Sequence, residues 1–307
     1  MTSHAPVAVL GCGLIGESWS ALFLAHGLDV IGWDPDARAR AALTERVDRL
    51  CRQLDELGHA PERRGALSIV DNVADAVRSV TWIQENAPEN VPLKHRLYAE
   101  IEAAAAPNAV IASSTSSLTW SELSVALRRP ERFVTAHPFN PPHLMPLVEI
   151  FAVDDGVRRR ANDFYRSLGR ETVFLKRDAV GHIANRLASA LWREAVNIVA
   201  EGIADVSDVD AALVHGPGLR WSVVGAHMAY HLGGGPGGIE HYLRHLGPSQ
   251  ERRWATLGTP RLTPDICRLL IEGVAREADG RSIAELELSR DRGLIAAIAT
   301  RRNAHEP

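Results

Sequence analysis

Apolar residues in the first half of the chain come in short runs separated by amphipathic stretches. "VAVLG" at residues 7–11 leads into a helical segment near 14–26, and "DVIGWD" at 29–34 leads into a long polar helix near 36–57. Further strand-like runs are "SVTWIQE", "NAVIASS", "RFVTAH", "LVEIFAV" and "TVFLK". Strands alternating with helices predict a parallel, doubly wound sheet. Beyond about residue 180 the period becomes helical, and Ile183, Leu187, Leu191 and Ile198 fall near one face of the stretch 181–202. The glycine-rich "HLGGGPGG" reads as a helix break, and Pro248, Pro260 and Pro264 punctuate the same half. The predicted fold is α/β: a doubly wound, mostly parallel sheet over 1–180, then an all-α domain over 181–307.

Composition narrows the partners. The chain has 307 residues, 46% hydrophobic and 23% charged, enough for two cored domains of ordinary globular character. A net charge of -4 gives no electrostatic reason to expect nucleic acid or a membrane surface. Asn185, Arg186, Arg193 and Glu194 interrupt the one long apolar stretch, which therefore reads as a buried soluble helix and not as a membrane span. Cys12, Cys51 and Cys267 lie far apart without metal or redox spacing, which suggests a reducing compartment. "MTSHAPVAVL" lacks the basic region and long apolar run of a signal peptide. These features lead us to expect a soluble, cytoplasmic protein.

The N-terminal strand ends in "GCGLIG", with Gly11, Gly13 and Gly16 flanking Leu14 and Ile15. Alone, a GxGxxG pattern is weak. Here it follows an apolar strand and opens a helix, and a second strand ends at Asp34, 18 residues after Gly16. That context predicts a Rossmann-type dinucleotide site: glycines admit a pyrophosphate to the helix N-terminus, and Asp34 takes the adenosine ribose hydroxyls. The charge of Asp34 opposes a 2′-phosphate and favours NAD over NADP, although Arg38 and Arg40 stand nearby.

The chemistry is expected further along. In "SSTSSLTWSEL" hydroxyls crowd the carboxyl end of a strand, where open α/β sheets bind ligands. Thr119 and Glu122 also fit a helix capping box, so part of this cluster is structural. His137 ends the next strand and suits proton exchange near neutrality. Glu149, a carboxylate inside the apolar run after "HPFNPPHLMP", needs a partner if buried. A bond to one imidazole nitrogen would supply it and leave the other nitrogen for substrate.

The ordered set "GCGLIG", "SSTSSL", "HPFNPPHLMPLVEI" and "GHIANRL" resembles the 3-hydroxyacyl-CoA dehydrogenase superfamily. "GPGLRWSVVGAHMAYHLGGGPGG" is more similar to its L-carnitine dehydrogenase and L-gulonate 3-dehydrogenase (lambda-crystallin) branch. The resemblance implies oxidation of a secondary alcohol at carbon 3 with NAD as acceptor, and a homodimer built on the helical half. It implies His137 as base, Glu149 as its orienting partner, and Ser116 and Asn185 as hydrogen-bond donors to the reacting oxygen. It also places Glu89, Lys94 and Asn140 near the nicotinamide half. Ser114 departs from the asparagine common in acyl-CoA enzymes, a position that contacts cofactor or substrate there.

That departure, a polar arm over 36–65 that is shorter and less lysine-rich than the arm of acyl-CoA enzymes, and the "GPGLRW" segment point to a small free 3-hydroxy acid, the CoA thioester being the alternative. Arg220 is the candidate grip for its carboxylate, or else a helix-end salt bridge. Trp192, Trp221 and Tyr230 are either core or an aromatic box for a quaternary ammonium. His227 with His231, and His241 with His245, have zinc-ligand spacing, but no cysteine is near, so no metal is expected. A crystallin-like or NAD-sensing protein would not need Ser116, His137, Glu149 and Asn185 beside a cofactor loop.

Overall fold

The computed structural model of the chain describes residues 6–58 and 63–305. The start of the segment read as lacking a signal peptide, residues 1–5, and part of the polar arm, 59–62, lie outside the described residues. The chain divides into two compact units, residues 1–186 with 294–299, and residues 187–293 with 300–307.

In the first unit, β1 (Val7–Leu10), α1 (Leu14–Ala25), β2 (Val30–Trp33), α2 (Ala37–Glu56), β3 (Leu67–Ile69), α3 (Val73–Val77) and β4 (Trp82–Glu85) come first. They are followed by α4 (Val91–Ala104), β5 (Val110–Ser113), α5 (Trp120–Ser124), β6 (Phe133–Pro138), β7 (Leu147–Phe151), α6 (Asp155–Ser167) and β8 (Glu171–Phe174). The sheet order is β3-β2-β1-β4-β5-β6-β7-β8. All neighbours pair in parallel except β6 and β7, which are antiparallel.

Strand residues alternate between two helical layers, as period-two side chains must when both faces are covered. Val7, Val9, Val110, Val134 and Val148 pack with α1, α2 and α6. Ala8, Leu10, Ile83, Ile111 and Phe133 pack with α3, α4 and α5. The sheet contains β3, which the hydrophobic pattern does not reveal. It has three residues, "LSI", and two of them are exposed. The order reverses at β1, whose neighbours are β2 and β4, and the carboxyl ends of the strands there form the edge where such sheets take ligands.

The helical part comprises α7 (Ala184–Ala200), α8 (Val206–His215), α9 (Pro217–Trp221), α10 (Ala226–Gly233), α11 (Gly238–Trp254), α12 (Pro264–Ala278) and α13 (Ile283–His305). The glycine-rich stretch separates α10 from α11 as a short 3-10 turn. Helix α7 corrects one expectation. It buries only Val196 and Asn197 among its described residues, while Leu187 and Trp192 stand exposed. Its apolar residues exceed what the single chain covers. Among the described residues, no helix is long and apolar enough to cross a membrane.

Candidate active site

The glycine loop between β1 and α1 is shaped for an anion. Gly11 has φ +93, and a Cβ there would meet the Asn86 carbonyl oxygen at 2.8 Å. A Cβ on Gly16 would fall 1.8 Å from the Gly11 carbonyl oxygen, so the loop cannot close on its helix with a larger residue. A Cβ on Gly13 would meet nothing within 4 Å. Gly13 is the N-cap of α1 and supplies no side-chain cap, so the helix's first amides face an open approach with Leu14 and Ile15 in its first turn. These features fit a pyrophosphate.

Asp34, just beyond β2, accepts the Cys12 amide (2.7 Å) on one oxygen and the Asp36 amide (2.9 Å) on the other. It thus holds the glycine loop while remaining partly exposed for a ribose. Arg40 donates to the Asp34 carbonyl and pairs with Asp71 at 3.0 Å, whereas Arg38 is exposed. Arg40 is therefore already engaged and ill placed for a 2′-phosphate. Cys12 is buried, and burial first, then the charge of Asp34, pushes its thiol up to about 12, so it is an inert wall of the loop.

The antiparallel turn of the sheet builds the second part. In the β6–β7 register His137 lies directly opposite Glu149, which puts both side chains on one face. His137 Nδ1 donates to Glu149 Oε2 at 2.8 Å. The other carboxylate oxygen accepts the amides of Ile183 (2.7 Å) and Ala184 (2.9 Å), where α7 begins. Glu149 is fully buried. Burial alone would raise its pKa, but the bond from His137 and those two amides outweigh it and hold it below the ordinary carboxylate value. An acceptor-only carboxylate on Nδ1 fixes the neutral imidazole tautomer and leaves the lone pair on Nε2.

The third part is the loop after β5. Glu89 accepts hydrogen bonds from the amides of Ser116, Ser117 and Leu118 and from the hydroxyls of Thr115 and Ser117. Burial opposes its charge, yet the Ser116 amide, the Lys94 charge and the hydroxyls keep its pKa below the ordinary value. Asn185 Nδ2 donates to Ser116 Oγ at 2.7 Å and to the Ser116 carbonyl at 3.2 Å. The amide thus reaches the serine hydroxyl, whose own proton stays free to donate. Thr119 caps α5 in a reciprocal box with Glu122, the structural share expected of this hydroxyl cluster.

The His137–Glu149 pair, the Asn185-bound Ser116 hydroxyl and a glycine loop shaped for an anion stand in one unit. Two family models cover most of the chain: "3-hydroxyacyl-CoA dehydrogenase, NAD binding domain" over residues 6–179, and "3-hydroxyacyl-CoA dehydrogenase, C-terminal domain" over 181–259. The chain belongs to the 3-hydroxyacyl-CoA dehydrogenase family. It is an NAD-dependent oxidoreductase. Among its relatives, L-carnitine dehydrogenase of Nocardiopsis dassonvillei is 44% identical over 294 residues, covering 94% of this chain and 89% of that one. L-carnitine dehydrogenase of a Pseudomonas species is 42% identical over 305 residues, covering 97% and 95%. A solved structure of 5-formyl-3-hydroxy-2-methylpyridine 4-carboxylic acid 5-dehydrogenase, an NAD+-dependent dismutase, superposes with a TM-score of 0.83 at 26% identity. It covers 95% of this chain and 97% of its own.

Within this member of the 3-hydroxyacyl-CoA dehydrogenase family, the expected cofactor residues are placed unevenly. Asn140 is exposed before Pro141, and Glu89, in the loop after β4, is exposed as a residue while its carboxylate is turned onto the 115–118 loop. Lys94 is wholly buried: its ammonium binds Glu85 at 2.6 Å and the Ala87 carbonyl at 2.9 Å. The ammonium thus ties Glu85 to the turn after β4. Glu85 in turn accepts from Tyr98 and Ser113, a network that apolar periodicity cannot show. Ser114, where acyl-CoA enzymes resembled above have asparagine, accepts from Trp19 and Gln84 and donates to Asn86. It braces the strand ends beneath the loop.

The substrate candidates lie in the second unit. Trp192, on α7, and Arg220 and Trp221, on α9, are exposed, and Arg220 makes no ion pair with any described residue. Tyr230, on α10, packs at a tilt against Tyr242, ring centroids 5.1 Å apart, and accepts from Gln250. The His231 ring takes the Ile239 amide, and His241 packs on His245. Among the described residues, no three His, Cys, Asp or Glu side chains gather as a metal site.

Proposed function

We propose that this chain oxidises the 3-hydroxyl of a small free 3-hydroxy acid to the 3-keto acid, and that L-carnitine is its substrate. The observation that carries the reading is the near full-length likeness to L-carnitine dehydrogenases, joined to an intact His137–Glu149 and Ser116–Asn185 set.

His137 takes the hydroxyl proton on Nε2, because Nδ1 is committed to Glu149. The carboxylate stabilises the imidazolium that results. Ser116 donates to the reacting oxygen, and Asn185 polarises Ser116 from behind by donating to its Oγ. Asn185 therefore acts through the serine, a refinement of the expectation that both touch the oxygen. NAD supplies the acceptor for the hydride leaving carbon 3. Glu89 keeps the 115–118 loop in place, and Asn140 completes the nicotinamide side.

Within the helical unit, Arg220 is the candidate partner for a substrate carboxylate, and Trp192, Trp221 and Tyr230 are the candidates for aromatic contact with a trimethylammonium. The 1–180 half is then the cofactor domain and the 181–307 half the substrate and dimerisation domain. The exposed apolar residues of the helical unit, among them Leu187, Leu219, Leu243 and Ile271, support a homodimer formed there. Its three free cysteines suit a cytoplasmic enzyme. Initial rates of NADH formation with L-carnitine, gulonate, 3-hydroxybutyrate and 3-hydroxybutyryl-CoA test the substrate. A sedimentation mass of one chain at micromolar concentration would count against the dimer.

A further inference from the structure

A second histidine lies against the base and takes no part in the chemistry derived above. His182 is buried, 2% exposed, and its ring centroid lies 5.0 Å from that of His137. Its Nε2 is 3.1 Å from the Thr115 carbonyl oxygen. A carbonyl only accepts, so Nε2 carries the proton and the lone pair is on Nδ1. Nδ1 is buried and makes no hydrogen bond with any described residue.

His182 also has φ +49, a left-handed conformation costly for most side chains and better tolerated by histidine and asparagine. Such strain persists only where the surroundings impose it. The surroundings here are the site itself. Four successive residues, 182–185, bind three different site groups: His182 binds Thr115, Ile183 and Ala184 bind Glu149, and Asn185 binds Ser116.

A relay of protons away from His137 is a poor use for this ring. Its outer nitrogen is bonded to a backbone carbonyl, which cannot accept and pass on a proton. A fixed tie is what the bonding describes. We propose that His182 is a positioning residue: through its Nε2–H bond to Thr115 and its ring packing on His137, it locks the Ser116 loop, the Asn185 segment and the base into one unit. The groups facing it support this. Burial first, and then the nearby His137, keep its pKa below the ordinary histidine value, against the hydrogen bond to Thr115 and the charges of Glu149 and Asp178. Both effects favour its neutral form.

The inference deepens the proposed mechanism and rests on it for the kinetic test, but the first test needs no substrate. With histidine labelled by 15N in the whole protein, and His182 identified by the signals lost in His182→Asn, the ring should show the neutral Nε2–H pattern. That pattern should persist as pH is lowered through 6.5, the ordinary histidine value. An Nδ1–H tautomer, or titration at the ordinary value, would overturn the proposal. For kinetics, His182→Asn tolerates the left-handed backbone but is too short to reach Thr115, whereas His182→Gln retains a long N–H donor. With NAD and the fastest substrate of the panel above, His182→Asn should lose about tenfold or more in kcat with the KM for NAD unchanged. His182→Gln should recover part of that loss. Equal kcat for His182→Asn and the parent enzyme would refute the positioning role. So would a loss in His182→Gln as large as in His182→Asn, when both melt near the parent temperature. A parent enzyme inactive on L-carnitine but active on another acid would refute only the proposed substrate.

Discussion

His137 and Glu149 face one another across the antiparallel β6–β7 pair, with Nδ1 and Oε2 2.8 Å apart. The reversal of strand direction at that point makes them cross-strand neighbours. The same carboxylate closes on the amides where α7 begins, so one buried group joins His137 to that helix. Replacing His137 by Ala should lower kcat about a hundredfold or more and leave NADH affinity, measured by fluorescence titration, nearly unchanged. Glu149→Gln keeps the shape but loses the charge that stabilises imidazolium, so kcat should fall there too. Near-normal rates in both variants would reduce the pair to a structural bond.

Glu149 and Glu89 both have folded pKa values below the ordinary carboxylate value of 4.5. Each therefore stabilises the fold fully above that value, and the contribution is lost as pH falls through the lower, folded value. Denaturation midpoints measured from about pH 7 to about pH 3 should drop on the acid side in the parent protein. The drop should be shallower for Glu149→Gln, which has no proton to take up at that site. An identical pH dependence would show that Glu149 is not held in its ionised form.

Asn185 donates to Ser116 Oγ, so its effect on the reacting oxygen should pass through that hydroxyl. Ser116→Ala should cost about a hundredfold in kcat, and Asn185→Ala somewhat less. The double variant should be little worse than Ser116→Ala alone, because the second change removes a group with nothing left to polarise. Strictly multiplicative losses would indicate that each residue touches the reacting oxygen independently.

Asp34 stays partly exposed and receives the Cys12 amide, while Arg40 is tied to Asp71. Asp34→Ala should raise the KM for NAD by roughly tenfold, as expected for a lost charged hydrogen bond. NADP use should improve only in part, since Arg40 stays paired with Asp71. Equal use of NAD and NADP by the parent enzyme would contradict the assignment.

The layout of strands and helices was readable because both faces of the sheet are covered and its strands are short apolar runs between amphipathic helices. The glycine loop and the Thr119 box were legible for a related reason, since their residues are neighbours in sequence. Strand β3 was not, being three residues long and largely exposed. The Glu85–Lys94–Tyr98–Ser113 network was hidden because its members come from three elements and no period links them. The same holds for Glu89, whose five bonds to the 115–118 loop depend on the adjacency of β4 and β5 in the sheet. His182 sat inside "GHIANRL" in plain view, but only the fold shows its ring against His137. The exposed side of α7 reflects a third limit. A helical period reports an apolar face and does not say whether the same chain covers it.

The most direct test is the ratio of kcat/KM for L-carnitine to that for 3-hydroxybutyryl-CoA, measured by NADH formation with the purified protein and with His137→Ala as control. The account predicts turnover of L-carnitine that depends on His137, and little or none of the thioester. Efficient oxidation of 3-hydroxybutyryl-CoA with no activity on L-carnitine, gulonate or 3-hydroxybutyrate would contradict it.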